Sequence, residues 1–177
     1  MEIGIVQFIN HLGAGKIDAF SSFISWIPFV IAFWLISILL VLLLDKKDRK
    51  VIILSIIIAL AFHFLFTEGI LKHLLILYFP MRVRPYLAFP DLTHPIGQLV
   101  TNSSFPSSHM SSSVAVLTVL VIKYRKLWPY ALIFTLLMAF SRIHNGMHYP
   151  TDVVAGGLLG LLYGIFAVDI ATKVLSY

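Results

Sequence analysis

Long apolar runs separated by short polar segments dominate the chain. Runs over Phe23–Leu44, Val51–Leu77, Ser107–Ile122, Trp128–Ile143 and Val153–Thr172 predict five membrane-spanning helices, because a span needs about 20 mostly apolar residues. The third and fourth runs are short as bounded and are expected to extend into their flanks. Residues 1–20 read differently. Ile5, Phe8, Ile9 and Leu12 recur at helical spacing, and Gly13 and Gly15 then break the stretch. This pattern predicts an interfacial helix lying on the membrane, with a short sixth span as the alternative. The stretch lacks the basic start and small-residue cleavage pattern of a signal peptide. The expected fold is all-α, an integral membrane helical bundle forming one domain over residues 1–177. No linker or internal repeat divides it.

Composition supports lipid as the solvent. Apolar residues make up 59% of the 177 positions and charged residues only 12%, where a soluble domain carries roughly 25% charged residues. A soluble chain of this size could not hide so much apolar surface. The formal charge of +5 is gathered in short loops, which fits headgroups and topology and gives no reason to expect nucleic acid. Without cysteine, disulfides and thiolate metal sites are excluded. The basic loops Asp45–Lys50 and Lys123–Lys126 are separated by two spans, so both fall on one side, and their charge marks it as cytoplasmic. The segments Tyr78–Phe105 and His144–Asp152 then share the extracytoplasmic side. Arg82 and Arg84 stand there against the charge rule, as an anion site would require. Gly156, Gly160 and Gly164 give the last span a flat face for close packing, with Ser111–Ser113 as a matching small surface.

Four features reach that extracytoplasmic face: Arg84-Pro85, Pro106-Ser107-Ser108-His109, Ser141-Arg142, and His148 with Asp152. Each residue type suits phosphoryl chemistry. Arginine binds phosphate oxygens in pairs and stays charged. Pro-Ser-Ser reads as a helix start, whose free amides and positive dipole end attract an anion. A neutral histidine nitrogen is a nucleophile, and a carboxylate nearby fixes its tautomer. His144, His148 and Asp152 at four-residue spacings also invite a metal reading, but Tyr149-Pro150 disfavours one continuous helix through them.

The combined pattern resembles the type-2 phosphatidic acid phosphatase family, whose signature is K-x6-R-P, P-S-G-H and S-R-x5-H-x3-D. The third part matches at every defined position, Ser141, Arg142, His148 and Asp152. In the second part Ser108 stands where the family has glycine. In the first, Lys72 lies twelve positions before Arg84, where the family has seven. The resemblance implies His148 as the nucleophile that forms a phosphohistidine, Asp152 as its orienting carboxylate, and His109 as the acid for the leaving group and later the base for water. It implies Arg84 and Arg142 as phosphate clamps, Ser107, Ser108 and local amides as assistants, and no metal or other cofactor. Lys72 would supply the first-motif cation, about 7 Å inside the end of the second span if that helix reaches Leu77, and a lysine can snorkel that far. It also stands four residues after Glu68, in the favourable order for a helical ion pair. Arg82 is the rival cation.

The implied activity is hydrolysis of a lipid phosphate or pyrophosphate entering from the outer leaflet. Undecaprenyl pyrophosphate and lipid A 1-phosphate rank before phosphatidylglycerophosphate and phosphatidic acid. A phosphotransferase and a non-catalytic anion transporter are the alternatives, and nothing in the sequence requires an obligate protein partner.

Overall fold

The computed structural model describes every residue except Ala14, Leu75, Ile76 and Tyr177. Among the described residues all regular structure is helical. Two short helices, α1 (Glu2–Asn10) and α2 (Asp18–Ile24), precede the bundle. Then follow α3 (Ile27–Leu44), α4 (Arg49–Leu74), the single turn α5 (Pro85–Ala88), α6 (Ser108–Lys123), α7 (Trp128–His144) and α8 (Pro150–Leu175). Four of these are long and apolar enough to cross a membrane: α3, α4, α7 with the turn before it, and α8. Outward leucines such as Leu35, Leu39, Leu43 and Leu158 are exposed, a surface that only lipid would cover. The chain is an integral membrane helical bundle.

Helix α6 is shorter, at 16 residues, or about 24 Å at 1.5 Å per residue. It lies inside the bundle, packed against α3, α4, α7 and α8, so protein covers most of its surface. The predicted first span also divides. Phe23 and Ile24 belong to α2, and the chain is extended at Trp26 before α3 begins. Pro28 in the first turn of α3 explains the break, because it has no amide to carry the helix on from α2 and its ring would clash with the carbonyl four residues earlier. The second predicted span is described to Leu74, and its expected continuation through Leu75 and Ile76 lies outside the described residues. With nine residues, α1 extends only about 14 Å, too short to span. The short sixth span is thereby set aside.

The glycine face of α8 packs on α6. A Cβ on Gly160 would stand 2.5 Å from the Ser111 carbonyl oxygen and 2.9 Å from Val114 Cβ, and one on Gly164 would stand 2.5 Å from Thr118 Cβ. Gly156 meets the Ser107 carbonyl in the same way. Of the three serines expected to form the matching surface, Ser111 does so, whereas Ser112 turns toward a cavity. This contact presses the start of α6 against the start of α8, and the Ser107 amide donates to the Asp152 carbonyl at 3.0 Å. At the far end, Tyr124 Oη donates to Asp45 Oδ2 at 2.6 Å, which holds the two basic loops together.

Gly160→Val is expected to destabilise the detergent-solubilised protein by about 1–3 kcal/mol through overpacking. Gly157→Ala, whose Cβ would meet only Met110 Cε at 3.7 Å, is expected to be neutral. Thermal unfolding of the two variants checks this.

Candidate active site

The site forms where four helix ends meet, and the local sequence dictates each end. Helix α7 closes in a glycine turn. The Gly146 amide donates to the Ile143 carbonyl at 2.9 Å and the Met147 amide to the Arg142 carbonyl at 3.3 Å, with Gly146 at φ +69°. This six-to-one pattern with a left-handed glycine satisfies the last carbonyls of the helix and reverses the chain. It returns His148 to the level of Arg142. Helix α8 then starts at Pro150, with the Asp152 carboxylate accepting the Tyr149 amide at 2.9 Å, a capping arrangement that fixes the helix entry. The spacing from Arg142 to His148 to Asp152 is therefore one C-terminal turn followed by one N-terminal cap.

Helix α4 changes its winding over His63–Leu74 to the wider π form. An α-helix at 100° per residue would put Lys72 roughly opposite His63. At about 4.4 residues per turn, His63, Glu68 and Lys72 fall within roughly 50° of each other. All three line one cavity of about 360 Å³, which also touches Arg84, Ser108, His109, Arg142 and His148. Ile31, Trp34, Phe64 and Val100 supply its apolar wall. Three cations thus face a cavity with one carboxylate, Glu68. Lys72 Nζ donates to Ser108 Oγ, which donates in turn to Glu68, and Lys72 and Glu68 are 3.7 Å apart. Ser108, at the position of the signature glycine, is the link between them.

The arginines are held differently. Arg84 is buried and bonded to neutral acceptors: the Asn102 side chain at 2.7 Å, and the carbonyls of Asn102 at 3.0 Å, Met147 at 3.0 Å and Ser103 at 3.3 Å. Arg142 is 6% exposed, and among the described residues no acceptor engages its guanidinium. Its Nε is buried without a partner, as is the hydroxyl of Ser107 at the start of α6. Buried cations and donors left open in this way suit an anion.

The two site histidines have opposite tautomers, because a carbonyl can only accept. His148 Nδ1 donates to the Ser104 carbonyl at 2.7 Å, leaving the Nε2 lone pair in the cavity 3.3 Å from Arg84 Nη1. His109 Nε2 donates to the Ser25 carbonyl at 2.8 Å, leaving Nδ1 as its open nitrogen. Burial, and then the Arg142, Arg84 and Lys72 cations, push the His148 pKa well below the ordinary histidine range. It is therefore neutral and nucleophilic at rest.

Asp152 is expected to orient His148, but the ring Nδ1 donates to the Ser104 carbonyl instead. Asp152 Oδ2 stands 3.7 Å from Nδ1, close enough to favour a cationic ring without bonding the neutral one. Arg82 does not line the cavity. It pairs with Asp152 at 2.6 Å and Glu2 at 2.6 Å, bonds Thr151 at 2.8 Å and stacks over Tyr149. It forms this clamp behind the site, whereas Lys72 lines the cavity. Helix α2 is held by Ser141 Oγ donating to the Ser21 carbonyl at 2.6 Å, and by Asn145 bonding Ser21 and Ser25 at 2.7 Å each. Asn102, Ser104, Ser25 and Glu2 carried no sequence signal, since each acts through a carbonyl or from a distant element. For the metal reading, His144 Nε2 meets the Leu12 carbonyl at 3.1 Å, and no group of three candidate ligands forms among the described residues.

The chain is similar to several known proteins. The sequence model of the PAP2 superfamily matches residues 52–175. An undecaprenyl-diphosphatase of Sulfolobus acidocaldarius is 25% identical over 95% of this chain and 77% of its own. A lipid A 4'-phosphatase of Bacteroides thetaiotaomicron is 31% identical over 88% of this chain and 68% of its own. The crystal structure of Aquifex aeolicus LpxE superposes with a TM-score of 0.70 at 20% identity, covering 95% of this chain and 94% of that one; at this identity the likeness concerns the fold.

Nitrogen-15 NMR of histidine-labelled protein should find the His148 ring still neutral at pH 5.5 without ligand, about one unit below an ordinary histidine pKa. A ring that titrates near 6.5 would contradict the burial and cation argument.

Proposed function

The chain belongs to the PAP2 superfamily, and from that membership and the geometry of its site we propose that it is a membrane lipid phosphatase working through a phosphohistidine. The observation that carries the proposal is the convergence of Lys72, Arg84 and Arg142 on one cavity beside a neutral His148. Such a set binds a phosphate dianion or a diphosphate and presents a nucleophile to its phosphorus.

The steps follow from the two tautomers. His148 Nε2 attacks phosphorus in line with the lipid oxygen, and the P–O bond breaks as the N–P bond forms. His109, protonated at Nδ1 in the substrate complex, gives that proton to the leaving oxygen. Attack makes the His148 ring cationic. The Ser104 carbonyl keeps its Nδ1 proton in place, and the Asp152 carboxylate stabilises the charge. The arginines, Lys72 and the amides at the start of α6 hold the equatorial oxygens, where charge is spread in a loose transition state. Water then attacks the phosphohistidine with His109 as base. The residues supply the positive charge of each step themselves, so turnover is expected to need no added metal.

The lipid chain would leave the cavity along its apolar wall, between Ile27, Ile31 and Trp34 of α3 and Phe64 of α4. This apolar wall suits a lipid chain, and the proposed substrate is an envelope lipid, undecaprenyl diphosphate or lipid A phosphate. The undecaprenyl-diphosphatase and lipid A phosphatase relatives support the same pair. The site lies at the end of the bundle opposite the basic loops, and by their charge we assign it to the extracytoplasmic face.

Purified protein is expected to release phosphate in EDTA from at least one of undecaprenyl diphosphate, lipid A 1-phosphate, phosphatidylglycerophosphate and phosphatidic acid. Abolition by EDTA with rescue by a divalent cation would overturn the metal-free reading. Arg142→Gln should lower kcat/KM by about 10²–10³, as loss of a transition-state donor does. Arg82→Gln acts through Asp152 and should lower it by about 10–100-fold. Equal losses in a phosphate-release assay would argue against the different placements of the two arginines.

A further inference from the structure

A second, smaller chamber of about 40 Å³ abuts the main cavity at His109 and Arg142. Ser22, Ser25, Gln98 and Asn145 line it together with Trp26, Ile27, Ile96 and Val100, so its wall carries a larger share of polar groups than that of the main cavity. A water needs roughly 10–15 Å³ of such space and two to four polar partners, and the chamber offers both. Gln98, Trp26 and Ile27 are its exposed lining residues, while Ser25, Asn145 and Arg142 are buried. The chamber therefore runs from this exposed rim to the buried site. The unpartnered Nε of Arg142 is a donor in its wall.

We propose that this chamber is the entry and holding site for the water that hydrolyses the phosphoenzyme, beside the lipid's route, with which it shares Ile27. The inference rests on the phosphohistidine reading. After the first step the main cavity still holds the dephosphorylated lipid against its apolar wall, which closes the membrane side to water. The chamber reaches His109 from the other side. A water there forms the new P–O bond as the P–Nε2 bond breaks, and its proton passes to His109 Nδ1. The bonding pair returns to His148 Nε2, and inorganic phosphate leaves. The Ser25 carbonyl, which holds His109 in the required tautomer, belongs to a serine in the chamber wall. The same short helix, α2, therefore sets both the base and its water.

The closure is held tightly. Gly97 has φ +81°, and a Cβ there would stand 2.6 Å from Ser22 Oγ. The loop before Gln98 thus sits directly on α2, and Gln98 is the exposed polar residue of the lining next to that contact.

The test is a rapid-quench experiment on the full chain in detergent, using the fastest substrate of the four-lipid panel with its leaving phosphate labelled. Gln98→Trp is expected to leave phosphoenzyme formation unchanged, to slow phosphate release about tenfold and to make phosphoenzyme accumulate. Gln98→Ala, which cannot plug the opening, should keep both steps within twofold of wild type. Unchanged release in Gln98→Trp, a parallel slowing of both steps, or equal effects of Trp and Ala would each overturn the water route. A wild-type enzyme that releases phosphate without any phosphoenzyme overturns the covalent mechanism, and the chamber's role with it.

Discussion

Positive charge gathered at a buried end of a membrane bundle is the constraint around which the structure is arranged. Removing an ion from water is expensive unless it is paired or well bonded. Arg84 meets the demand with backbone carbonyls and the Asn102 side chain, and Lys72 meets it through Ser108 and Glu68. Arg142 is left open among the described residues. Any carboxylate that neutralised it would also occupy the place of a phosphate. Apart from Glu68, which pairs with Lys72, the acidic residues near the site lie behind it, where Asp152 and Glu2 hold Arg82.

Helix ends make this arrangement possible. The start of α6 offers free amides, the end of α7 brings Arg142 next to His148, and the start of α8 fixes Asp152 through its own cap. The glycine face of α8 draws α6 close enough for these termini to share one cavity. Packing far inside the bundle and chemistry at its face are therefore one problem. A bulky residue at Gly160 would move the start of α6 and every group bonded to it.

Much of this was legible in the sequence, because its signals were local. The apolar runs marked the spans, and the spacing of Arg142, His148 and Asp152 encoded a turn and a cap. The π winding of α4 was not legible, since the reading of Lys72 assumed a 3.6-residue period. That winding explains how a lysine twelve positions before Arg84 still reaches the cavity. The partners of His148 and His109 are backbone carbonyls of Ser104 and Ser25, which any residue could supply. Arg82 reads in the sequence as a rival to Lys72, because its partner Glu2 lies 80 residues away. The break at Trp26 had a visible cause in Pro28, but the apolar run across it hid the division between α2 and α3.

The central claim is a covalent enzyme intermediate on His148, and the stereochemistry at phosphorus tests it most directly. A lipid phosphorothioate made chiral with oxygen isotopes can be hydrolysed in isotopically labelled water and the configuration of the product determined. Two in-line displacements, first by His148 and then by water, give net retention, the result expected here. Net inversion would mean that water attacks the substrate directly, and would contradict the role given to His148.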